Sequence, residues 1–199
     1  MLHFGINFAN LSSEMIPLLG DLAYLLGVPV MDMLTQMGAS SSAIATAANL
    51  DLSTFNENLM SQLLQLSTDL GAGFFELISF LGIPLSSVAE QFGIDLETFS
   101  GATMQGFSTL AETLHMSVLD VITAMGTDMT RLLGANGIDL STLDANNFTN
   151  FTAFATSIGT DIVTLWTTLG QEITDLGALL VSTLQTQLAA LPGISQETV

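Results

Sequence analysis

GVPVMDMLTQM (27–37) is an eleven-residue stretch whose pattern returns at GAGFFELISFL (71–81), HMSVLDVITAM (115–125) and GTDIVTLWTTL (159–169), each copy 44 residues after the last. In every copy the fourth, fifth, seventh, eighth and eleventh positions are apolar. The fourth and fifth are Val30 and Met31, Phe74 and Phe75, Val118 and Leu119, and Ile162 and Val163. The seventh and eighth are Met33 and Leu34, Leu77 and Ile78, Val121 and Ile122, and Leu165 and Trp166. A surface helix needs one apolar stripe, so a helix apolar around this much of its circumference must be covered on more than one side. These sixteen residues are expected to form the buried spine of an all-α repeat protein.

The same spacing extends along the chain. From Gly5, seventeen consecutive eleven-residue segments run without a gap to 181–191. The fourth position is apolar except at Ser41, the seventh except at Gln187, and the eleventh mostly so, with Thr103, Asn136 and Asn147 as exceptions. Spacings of three, four and four close on eleven residues, or three helical turns, whereas a strand requires a period of two. Ten segments open with Gly, and the third position is often Asp, Asn, Ser, Thr or Pro. Glycine suits the left-handed residue past a helix end, and the others suit a helix start. Gly27-Val-Pro29, Gly82-Ile-Pro84, Gly93-Ile-Asp95, Gly137-Ile-Asp139 and Gly159-Thr-Asp161 therefore read as a stop followed by a start. The competing account of the glycines is a close-packing stripe on one continuous helix.

Ile16, Met60, Met104 and Phe148 interrupt the glycine column, again 44 residues apart. Without a stop there, the first two segments of each block are expected to fuse into a helix of roughly 20 residues, followed by two short helices. The expected architecture is an α-solenoid-like array within a single domain, 1–199, with blocks 5–48, 49–92, 93–136 and 137–180 and a partial block 181–199. Position eight of each first segment is polar (Ser12, Asn56, Ser100, Asp144) and reads as a wet flank of the long helix.

Charge narrows the partners. One basic residue, Arg131, stands against 19 acids, giving a net charge of −18. That field repels phosphate backbones and anionic head groups, which argues against nucleic acid. Only 10% of residues are charged, too few to keep the surface free of apolar patches, which points to self-association or a lipid contact. There is no cysteine, hence no disulfide framework or thiolate metal site. The opening MLHFGINFANLSSEM lacks the basic-then-apolar order of a secretory signal, so the expectation is a surface or extracellular protein exported without one, or a cytoplasmic one. Asn10, Asn147 and Asn150 match the glycosylation acceptor pattern, which arises readily by chance in a chain rich in Asn, Ser and Thr.

No catalytic constellation is legible. His115 lies at a segment boundary near Glu112 and Asp120, without metal-ligand spacing, and reads as a surface residue. Asp51, Asp95, Asp128, Asp139 and Asp161 share the third position, where helix N-caps account for them, although a weak calcium site between blocks is an alternative. The chain has no lysine, which excludes Schiff-base chemistry. Residues 70–85 are the most membrane-like stretch, but they are short and carry Glu76 and Pro84. No catalytic, cofactor or metal residue is assigned. The expectation is a non-enzymatic structural protein whose apolar end faces meet head to tail in a filament or surface layer. The alternatives are an amphipathic repeat that binds a membrane surface, and a ruler-like segment of the phage tail tape-measure kind.

Overall fold

The computed structural model describes residues 11–139 and 145–170, with 177, 181, 182, 184 and 185 beyond them. The protein is all-α, and all regular structure among the described residues is helical. A 3-10 turn, Ser13–Met15, leads into α1 (Ile16–Leu26), α2 (Val30–Gln36) and α3 (Ser41–Ala47). There follow α4 (Glu57–Leu70), α5 (Phe74–Leu81) and α6 (Leu85–Gln91), then α7 (Gly101–Leu114), α8 (Val118–Ala124) and α9 (Met129–Ala135). Two further helices are α10 (Ala145–Ser157) and α11 (Ile162–Thr168).

The helix stops fall where the residues place them. Among the described residues, every positive φ (nine glycines, Asn49 and His115) opens an eleven-residue segment. Gly71 shows why. At φ +66° its N–H donates to Thr68 O at 3.1 Å, and the Ala72 N–H donates to Ser67 O at 3.0 Å, so two end carbonyls of α4 are satisfied. A Cβ added at Gly71 would meet nothing within 4 Å. Glycine is there for its backbone freedom, which disposes of the close-packing stripe at this position. His115 makes the same turn at φ +53°, with its N–H on Glu112 O and the Met116 N–H on Ala111 O.

The helix starts differ from expectation. The fused helices of roughly 20 residues do not form; α1, α4, α7 and α10 have 11, 14, 14 and 13 residues. At α4 and α7 the polar eighth column is the reason. Asn56 Oδ1 accepts from the Leu59 N–H at 2.9 Å and Ser100 Oγ from the Thr103 N–H at 3.4 Å, so both are N-caps rather than a flank. Ser12 precedes the 3-10 turn without a side-chain cap bond, and Asp144 lies outside the described residues. Upstream, Asp51 Oδ1 accepts from the Ser53 N–H, and Asp95 Oδ1 from the Glu97 and Thr98 N–H groups. These two aspartates brace turns and do not cap a helix. Asp128 and Asp161 do cap, on α9 and α11. Asp139 precedes residues outside the description. Pro29 and Pro84 sit at the N-cap itself, one residue before the first turn.

The chain forms two compact units, Met1–Gly93 and Ile94–Val199. In the first, α1 packs along α4 and against α2, while α5 is packed by α2, α3 and α4. Leu19, Leu63, Leu77, Ile78 and Val88 are almost wholly buried, each worth roughly 1.5–3 kcal/mol relative to exposure. In the second, α7 packs on α8 and α10 on α11. Phe107, Leu110, Val121, Leu132 and Phe151 form its core. Thr103, a polar exception in the eleventh column, is buried with its hydroxyl donating to Thr98 O at 3.2 Å, so it leaves no unpaired group there.

Candidate functional site

Twelve of the sixteen expected spine residues are buried: Val30, Met31, Met33, Leu34, Phe74, Leu77, Ile78, Leu119, Val121, Ile122, Leu165 and Trp166. Phe75, Val118 and Ile162 are half-buried, and Val163 is 43% exposed. The difference lies in what each helix packs against. On α2, which packs on both α1 and α5, Met31 is covered. On α11, the main packing partner among the described helices is α10, which reaches Trp166; the indole stands edge-on to Phe151 with centroids 5.6 Å apart. Val163, at the position equivalent to Met31, remains open.

An exposed apolar face on α1 was not anticipated. Leu25 is 80% exposed and Leu18 63%, seven residues apart on one side of the helix, and Tyr24 is open beside them. The column comparison carries a signal for it. Positions 44 residues on hold Gln62, Thr68 and Asp69, so α1 is apolar where its equivalent in α4 is polar. Leu26 and Val28 extend the exposed apolar surface past the end of the helix.

In the second unit an open groove of about 540 Å³ is lined by Ser108, Glu112, His115, Ser117 and residues 156–159. Its hydroxyls are committed. Ser108 Oγ donates to Met104 O, Ser157 Oγ to Phe154 O, and Ser117 Oγ to Asp120 Oδ2 at 2.7 Å while capping α8. His115 is exposed, as expected of a boundary residue. Among the described residues, no group of three or more His, Asp or Glu side chains is placed to hold a metal ion.

The third-position aspartates are likewise engaged locally. The Thr98 hydroxyl, then the Glu97 and Thr98 N–H groups, and lastly the nearby Arg131 charge, hold Asp95 below the ordinary aspartate range. The Thr164 hydroxyl does the same for Asp161, and Ser53 for Asp51. These are the low values expected of capping and turn carboxylates, and they mark no acid–base pair.

The chain matches no family model, no curated protein and no solved structure. Among the described residues no single helix is long and apolar enough to cross a membrane. What the surface offers is apolar contact, densest on α1 and just after it, with Val163, Val181 and Leu184 also exposed among the described residues.

Proposed function

We propose that the protein is a non-enzymatic structural subunit, built of four 44-residue helical blocks, that assembles head to tail into a filament or surface layer. The observation that carries this is the register of the helix starts. Val30, Phe74, Val118 and Ile162 open α2, α5, α8 and α11, and Glu57, Gly101 and Ala145 open α4, α7 and α10, each 44 residues apart. Helices at constant spacing are what a stacked helical array requires, and open end surfaces of such an array are what would bring one molecule onto another.

The charge adds a constraint. Copies carrying −18 repel one another, so contact must come from apolar burial, and added salt should strengthen assembly by screening the repulsion. A contact between opposite charges would weaken instead. The test is negative-stain electron microscopy with light scattering on detergent-free protein, over a salt series. Regular filaments or sheets that grow with salt are the expected result. A monodisperse monomer at every salt concentration overturns the proposal, and binding of that monomer to neutral lipid vesicles would replace it with a membrane-surface role.

A further inference from the structure

We infer that the Asn136–Gly137 peptide is a self-modifying site: Asn136 deamidates to aspartate or isoaspartate without a catalyst, and only when the helix stop at the end of α9 has opened. Neither the chemistry nor its restraint depends on the assembly proposed above.

The dipeptide itself supplies the chemistry. Asn136 is one of the polar exceptions in the otherwise apolar eleventh column, and it stands directly before a glycine. The other asparagines of the chain precede Phe, Leu, Glu or Asn. Of the nine glycines with positive φ among the described residues, Gly137 alone follows a side chain that its nitrogen can attack. Glycine has no Cβ to hinder that attack. The reaction consumes only water, with base to take the amide proton. The Gly137 N–H gives up its proton, and the nitrogen bonds to Cγ of Asn136, closing a five-membered imide. The Cγ–Nδ2 bond breaks, and the side-chain nitrogen leaves as ammonia. Water then opens the imide at either carbonyl, giving aspartate or isoaspartate.

The fold supplies the restraint. Both residues are exposed, so water and base reach them. Both reacting groups are nevertheless engaged. Asn136 Nδ2 donates to Leu132 O at 2.8 Å, and the Gly137 N–H donates to Gly134 O at 3.0 Å. At φ −93° and ψ 13° the Asn136 backbone is nearly helical, which turns the Gly137 nitrogen away from the Asn136 Cβ, whereas the imide ring requires the two side by side. The Ile138 N–H completes the stop by donating to Leu133 O at 3.0 Å, and Ile138 itself is buried. Ring closure therefore requires the stop to unwind, a local opening of the kind that amide exchange reports.

Neither product can restore the stop. Each carries a carboxylate, which has no proton to donate to Leu132 O and is disfavoured beside the carbonyl end of a helix. Isoaspartate also routes the main chain through Cβ, adding an atom between α9 and the buried Ile138. Conversion thus marks a chain whose stop has opened and keeps it from closing as before.

Peptide mass spectrometry of the full chain, held in mildly alkaline buffer with and without denaturing urea, tests the inference. In urea Asn136 should convert before any other asparagine. In native buffer its conversion should be slower by about tenfold or more, the factor that a local opening imposes. Equal rates in the two buffers, or another asparagine converting first in urea, would overturn the inference. Ile138→Ala removes the anchor beyond the stop without touching either reacting residue. It should raise the native rate and leave the rate in urea unchanged; a folded variant that converts no faster than wild type overturns the gating. If circular dichroism shows that this variant does not fold, amide exchange on the wild type takes its place. The slowing of deamidation should then equal or exceed the protection of the Gly137 amide, because the reaction needs that N–H free. Slowing smaller than the protection would mean that the stop is not what restrains the site.

Discussion

A Cβ on Gly20 would lie 2.7 Å from the carbonyl oxygen of Asp69 and 2.9 Å from that of Leu70. Both atoms are backbone, so neither can swing aside, and α1 and α4 would have to separate. Gly20→Ala should therefore destabilise the protein by about 1–3 kcal/mol, even though alanine is the better helix former by nearly 1 kcal/mol. Gly134→Ala provides the control. It lies inside α9 with open space around the added methyl, and it should stabilise by about 0.5–1 kcal/mol. Urea denaturation of the two variants separates steric contact from helix propensity, and a stabilised Gly20→Ala would refute the close approach.

His115 and Asn49 hold the left-handed conformation that nine glycines hold elsewhere among the described residues. The strain for an ordinary L-residue in that conformation is roughly 1–2 kcal/mol, and glycine relieves it at the expense of a more flexible unfolded chain. His115→Gly should raise stability by about 0.5–1 kcal/mol. Asn49→Gly should gain less, since asparagine tolerates this conformation better. Thermal melts of both variants would show the order, and a destabilised His115→Gly would mean that the imidazole has contacts worth more than the strain.

Arg131 is the single strong base in the chain, and it ties the turn at 95–99 to α9. Its Nη2 donates to Glu97 O at 2.6 Å and its guanidinium lies over the Phe99 ring, 5.6 Å from the centroid. Arg131→Met keeps the length of the side chain and removes both contacts. A loss of about 1 kcal/mol is expected, measurable as a lower urea midpoint at unchanged slope. Lysine should not rescue it fully, because an ammonium lacks the planar donors that reach a carbonyl while stacking on a ring.

Asp95 and Asp161 should titrate below the ordinary aspartate value of 3.8, which carboxyl chemical shifts in a pH series would report. A lowered folded-state value means the ionised form is favoured by folding. The stabilisation is therefore fully present above the ordinary value and is lost as pH falls through the lowered one. Replacing each with Asn keeps a cap or turn acceptor but removes the charge, so the variants should lose this acid-side dependence while folding at neutral pH. An unchanged acid limb in the double variant would assign it to other carboxylates.

Much of this fold was legible because its signals are local. A glycine at Gly71 acts on one pair of dihedral angles, and the cap at Asp161 spans three residues. The period of eleven required only that a helix present one face repeatedly. The polar eighth column was visible too, but its meaning was not. Asn56 as a wet flank and Asn56 as an N-cap look alike until the preceding residues are seen to turn, and the Asp51 turn competes with helix over a short span.

The apolar surface shows where the sequence stops. Leu26 and Leu70 occupy the same column, as do Met31 and Val163, and the apolar residue in the column does not by itself distinguish the covered member from the open one. Hydrogen-bond geometry and backbone dihedrals operate across a few residues, so the sequence by itself determined the helical class, the spacing of the stops and the candidates for burial. Burial depends on which distant segment arrives alongside. Only the tertiary structure decided that Leu70 is buried, that Leu26 stays in water, and that α1 approaches α4 closely enough that position 20 has no room for a methyl group.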